Sequence, residues 1–89
     1  MDILWDEAKN NKLKEPRGVS FEDVCQIILD KKYLAVLENT AHPGQNIFVV
    51  GYKGYTYIVP FIIDADDNIV LKTVFPSRKF HKLYGEKMR

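Results

Sequence analysis

At 89 residues the chain is long enough for one domain with a single modest core and too short for two. An apolar fraction of 46% against 28% charged residues excludes the signature of a disordered chain, and no apolar run approaches the roughly 18 residues needed to span a bilayer. The net charge of +1 conceals a split: residues 69–89 hold six Lys or Arg against one acid, a balance of +5, and residues 1–68 stand at −4, an asymmetry that points to an anionic partner such as phosphate for the basic part.

A single cysteine, Cys25, forms no internal disulfide, and no charged n-region followed by an apolar h-region opens the chain, so the cytoplasm is the expected compartment. Residues 2–5 are short and apolar. Residues 6–14 combine good helix formers with an acid-to-base polarity suited to the helix dipole, and the run Glu15-Pro16-Arg17-Gly18 is expected to end that helix. Ser20 reads as an N-cap, with Asp23 completing a capping box; Phe21, Val24, Cys25 and Ile28 then follow at helical spacing, predicting a second helix over about 21–29.

Residues 33–37 read as a short strand and 38–46 as a polar loop broken by Pro43 and Gly44. Residues 47–52 and 55–63, rich in β-branched and aromatic side chains, form a hairpin over Lys53-Gly54, and Pro60, which has no N–H to give a ladder, marks an edge or a bulge. A turn at 64–68 leads into a strand over 69–75. Pro76-Ser77 closes it, and a basic helix follows from Ser77 or Arg78 to Tyr84, stopped by Gly85. The expected class is α+β: two N-terminal helices on an antiparallel sheet of three or four strands, with a C-terminal basic helix, all in one domain over 1–89.

The chemistry concentrates in IVLKTVFPSRKFHKLY, residues 69–84. Arg78 and Lys79 stand where a strand turns into a helix, and together they can hold a phosphodiester, Arg bidentately and Lys as a point charge. A solvated helix start capped by Ser77 is the competing reading. Lys72 interrupts an apolar strand face shared with Val70 and Val74, either lining a concave site or guarding an edge. His42, on the loop, and His81, after the basic turn, are the proton-transfer candidates, each weighed against an ordinary solvated or backbone-bonded histidine. Tyr55, Tyr57 and Phe61 share a strand face and read as core before base-stacking platforms. Asp64-Ala65-Asp66-Asp67-Asn68 begins like a calcium loop, but Ile69 stands where glycine belongs and Phe75 where the closing glutamate belongs, so it reads as a turn. One cysteine and two distant histidines predict no metal site and no cofactor.

Trp5-Asp6-Glu7-Ala8-Lys9, Arg17-Gly18-Val19-Ser20-Phe21-Glu22-Asp23 and the Arg78-Lys79 pair before a basic helix resemble the BrnT toxins of the RelE/ParE-like superfamily. The chain has Pro16-Arg17-Gly18 where that family usually reads Lys-His-Gly, and Pro76-Ser77 precedes the Arg-Lys pair in place of Ser-Ala. The resemblance implies a small ribonuclease of a type II toxin–antitoxin system that arrests translation. It also implies a cognate antitoxin of ribbon-helix-helix type, and a monomer that forms hetero-oligomers with that partner. Metal-independent RNA cleavage would then use Arg78, Lys79 and Lys72 on the transition-state charge and His42 or His81 for protons, with Arg17, Ser77, Lys82 and Tyr84 contacting RNA. The alternative is a non-catalytic binding module, or an inactive toxin relative, that docks nucleic acid or an acidic protein through its basic C-terminal region.

Overall fold

The computed structural model describes residues 2–85, apart from the side chains of residues 15–17. Its elements run β1 (Ile3–Leu4), α1 (Glu7–Arg17), α2 (Phe21–Leu29), β2 (Ala35–Glu38), β3 (Asn46–Tyr52), β4 (Tyr55–Ile63), β5 (Ile69–Leu71), β6 (Phe75–Pro76) and α3 (Arg78–Tyr84). Asp6 caps α1 by accepting from the N–H groups of Ala8 and Lys9. That helix continues three residues past its expected end at 14, through Pro16 to Arg17. A proline in the last turn forfeits only one backbone bond, and Gly18, at φ 62°, closes the end by donating its N–H to Lys14 O. The capping box at α2 forms as expected, Ser20 Oγ accepting from Asp23 N–H and the Asp23 carboxylate accepting in return.

A fully buried polar side chain joins these helices. Asn10 Oδ1 accepts from Phe21 N–H at 2.7 Å, and its Nδ2 donates to Glu22 Oε1 at 2.6 Å and Glu7 Oε1 at 3.2 Å. The Asn10 bond is the largest influence holding the Glu22 carboxyl below its usual range. Because Phe21 N–H is an otherwise orphaned donor in the first turn of α2, Asn10→Leu would leave it buried and unpaired. We expect that variant to lose about 1–3 kcal/mol of stability, read as a lower urea midpoint at unchanged slope; an unaltered midpoint would show that water reaches the donor.

The sheet departs from the expected three or four antiparallel strands. Six strands take part in the order β1-β5-β4-β3-β2, with β6 pairing β4 beyond the end of β5. It is mixed, since β1 runs parallel to β5 with Ile3 opposite Ile69. Two residues are too few to give a periodic signal, so only the polar anchors beside β1 declare it: Ile69 N–H bonds Asp2 O at 2.8 Å, and Asn68 Oδ1 accepts from Asp2 N–H at 2.9 Å. Residues 64–68 form the expected turn, Asp64 Oδ1 accepting from the N–H groups of Asp66 and Asn68.

The ladder breaks where Pro60 foretells it. Between the pairs Phe61–Leu71 and Ile58–Phe75, β4 has two residues and the facing chain three, which is a one-residue surplus of the bulge kind. Lys72 N–H bonds Pro60 O at 2.8 Å. A strand residue's carbonyl and N–H share one side, so the donor that proline lacks is missing from the bulged side, where no regular partner asks for it. The surplus also reverses the alternation. Val74 is fully buried in the core while Lys72 is exposed, so the expected shared face of Val70, Lys72 and Val74 does not survive to residue 74.

One sheet face packs on α1 and α2 through Phe48, Val50, Val59, Phe61 and Leu71, meeting Leu13, Val19, Phe21, Val24 and Ile28. Phe48 and Phe61 stack at 4.3 Å between centroids, and Tyr57 joins this core at its edge. By the strand alternation, the opposite face carries Ile47, Ile58 and Pro60. α3 lies over that second face.

Candidate functional site

A cleft of about 480 Å³ opens on the α3 side of the sheet. Its floor is the apolar strip Ile47, Ile58, Pro60 and Phe75. The bulge contributes Lys72 and Thr73, α3 contributes Lys79 and Phe80, and α1 contributes Lys9. The end of β2 and the loop between β2 and β3 form the remaining wall, with Glu38, Asn39, His42 and Gln45. That loop is folded on itself: Asn39 N–H bonds Gln45 O at 3.0 Å, Gln45 N–H bonds His42 O at 3.1 Å, and Asn39 Oδ1 accepts from Ala41 N–H at 3.2 Å. His42 is thus held by its backbone, with its imidazole exposed on the cleft side.

Three of the five catalytic candidates therefore meet, Lys72 from a strand bulge, Lys79 from a helix and His42 from a loop. Among the described residues the ion pair within 4.0 Å is Lys14–Glu22, at 3.4 Å; Lys72 and Lys79 carry their charge without a carboxylate in contact. Lys79 Nζ lies 5.6 Å from the Phe80 ring centroid, a weak cation–π contact.

The other candidates are placed differently. Arg78 is exposed at the start of α3 and does not line the cleft. Its neighbour Ser77 caps the helix, accepting Phe80 N–H at 3.2 Å. This satisfies one of the free N–H donors of the first turn, in a helix of only seven residues. His81 turns away from the cleft, its ring stacked on Tyr55 at 4.2 Å and its Nδ1 at 3.0 Å from Thr56 Oγ1. Lys82 is exposed, and the Tyr84 ring stacks on Phe80 at 6.2 Å. The Arg17 side chain lies outside the described residues.

Lys9, Asn39, Gln45, Phe75 and Phe80 line the cleft without having been singled out from the chain. Phe75 and Phe80 bracket the basic turn, an aromatic and cationic interleaving that was legible in residues 75–80. Lys9 gives no such signal, being one helix lysine among several. Elsewhere, burial pushes the Cys25 thiol up, which keeps it a poor nucleophile, and a bond to the Asp23 carboxylate at 2.9 Å holds the Tyr52 hydroxyl protonated beyond its usual range. No helix among the described residues is long and apolar enough to cross a membrane.

No family model matches the chain, and no curated protein matches it. Among solved structures, its fold is similar to that of the Brucella abortus ribonuclease toxin BrnT, whose crystal structure aligns with a TM-score of 0.65 over 86% of this chain and 96% of that one. The sequences are 17% identical over the alignment. The chain has the BrnT-like fold, with three helices and a mixed six-stranded sheet among the described residues.

Proposed function

We propose that the chain is the toxin of a bacterial type II toxin–antitoxin system, an endoribonuclease that inhibits translation by cutting RNA in this cleft. The observation that carries the reading is the convergence of Lys72, Lys79 and His42 on one concave surface floored by apolar and aromatic side chains. The likeness of fold to a ribonuclease toxin supports it.

In the proposed reaction the ribose 2′-hydroxyl attacks the adjacent phosphorus, and the 5′-oxygen of the next nucleotide leaves and takes up a proton from solvent water. The products are a 2′,3′-cyclic phosphate and a free 5′-hydroxyl. His42, exposed on the loop that walls the cleft, takes the 2′-hydroxyl proton as general base. Lys72 and Lys79 bind the non-bridging phosphate oxygens, whose charge grows in the transition state. Being mounted on two different elements, the two ammonium groups approach one phosphate from different directions. They supply the charge that a metal ion would otherwise provide, so cleavage is metal-independent. Phe75 and Phe80 offer ring faces to an unpaired base. Arg78, just outside the cleft, serves the neighbouring phosphate, with Lys82 further along the same helix. A cognate antitoxin of ribbon-helix-helix type holds the activity silent in the cytoplasm.

The test is cleavage of a single-stranded RNA of mixed sequence by the purified chain in the presence of EDTA. We expect cleavage to persist with chelator and to fall by about 10²–10⁴ in His42→Ala. Binding of the same RNA without any cutting would instead favour a non-catalytic binding module.

A further inference from the structure

α3 buries no residue completely and is only seven residues long, too short to persist as a helix by itself in water. Lys79 and Phe80 nevertheless depend on it for their place in the cleft. What fastens it is a seam on the side facing away from the cleft. Ser77 N–H donates to Thr56 O at 3.1 Å, and His81 Nδ1 lies 3.0 Å from the Oγ1 of the same, fully buried threonine. The His81 ring lies nearly parallel to Tyr55, at 4.2 Å and 20°. At the far end of the helix the ring packs against Gly85, where a Cβ would stand 3.1 Å from His81 Cε1. Successive helix residues are turned by about 100°, so a side chain at 81 that faces β4 leaves 79 and 80 directed to the cleft.

We propose that His81 is a positioning residue: by clasping Thr56 and Tyr55 it locks α3 onto β4 and so fixes where Lys79 and Phe80 stand in the cleft. The hydrogen bond and the ring stack both tie α3 to β4, whereas the main core lies on the other face of the sheet. Losing the clasp therefore frees α3 locally and leaves the rest folded. The functional consequence rests on the ribonuclease reading of the cleft; the clasp itself does not.

The experiment measures amide hydrogen exchange across α3 and the urea midpoint of the full chain, for His81→Leu, His81→Asn and Thr56→Val, together with RNA cleavage. His81→Leu is expected to speed α3 exchange by about 10-fold at an unchanged global midpoint, and to lower kcat with a smaller change in KM. His81→Asn, whose amide can meet Thr56 in place of Nδ1 but has no ring to stack on Tyr55, is expected to recover part of the protection. Thr56→Val, which removes the hydroxyl from the opposite side, should reproduce the loss if the leucine variant does not fold. Unchanged α3 exchange in His81→Leu, or exchange that rises only in step with a falling global midpoint, overturns the proposal. Loss of α3 protection in a chain that cuts no RNA sustains the clasp and removes the ribonuclease reading.

Discussion

Replacing Lys79 by alanine is expected to lower kcat/KM for RNA cleavage by about 10²–10³, the usual cost of deleting one preorganised donor to a transition-state oxyanion. Lys79 is exposed and lies on the helix surface with no carboxylate in contact among the described residues. Its removal should therefore shift stability by no more than about 0.5 kcal/mol. That contrast between a large kinetic and a small thermodynamic effect separates a charge that serves the reaction from one that serves the fold. Lys72→Ala is expected to behave alike, because Lys72 is exposed in the bulge and contributes only its backbone N–H to the sheet. The double variant should fall short of the product of the two single losses, since two cations gripping one phosphate act as a unit. Cleavage kinetics of the three variants, with urea unfolding of each, give the answer. Full activity of Lys79→Ala would remove that lysine from the chemistry.

The largest loss of stability is expected from Phe48→Ala. Phe48 is buried on β3, between β2 and β4, stacked on Phe61 at 4.3 Å and tilted against Tyr33 at 5.2 Å. Truncating a buried phenylalanine removes its transfer free energy and leaves a cavity, together about 3–5 kcal/mol. A domain of this size holds on the order of 5–15 kcal/mol in all, so the variant should unfold at a markedly lower urea concentration. The stack with Phe61 also joins two strands that are adjacent in the sheet, so the loss is felt on both. A loss below about 1.5 kcal/mol would mean that the site repacks as for a conservative exchange.

The parts of the fold that were legible in the chain are those whose cause is local. Ser20 and Asp23 specify the start of α2 by themselves, and Lys53-Gly54 specifies a tight hairpin because both residues take positive φ, 51° and 78°. Pro60 announced its bulge through a missing donor. What stayed hidden depends on distant partners. Ile3 and Leu4 become a strand only because β5 offers them an edge, and Asn10 looks like an ordinary helix residue until Phe21 N–H and Glu22 are seen against it. The face of Val74 was misread because strict alternation assumes an unbroken strand, and the bulge at Lys72 and Thr73 inserts one residue. For the site, residue type and charge drew notice to Lys72, Lys79 and His42, but only the tertiary fold separates them from His81 and Arg78. His81 has the same chemistry as His42 and differs in having Thr56 and Tyr55 beside it.

The measurement that bears most directly on the cleft as a cutting site is the chemistry of the RNA ends it leaves. A defined single-stranded RNA, and the same RNA carrying one 2′-deoxyribose at the cut position, are incubated with the purified chain in EDTA. The account predicts 2′,3′-cyclic phosphate and 5′-hydroxyl ends from the first and no cut at that position in the second. Cutting at the deoxy position, or ends bearing a 5′-phosphate, would contradict attack by the ribose hydroxyl and with it the roles given to His42, Lys72 and Lys79.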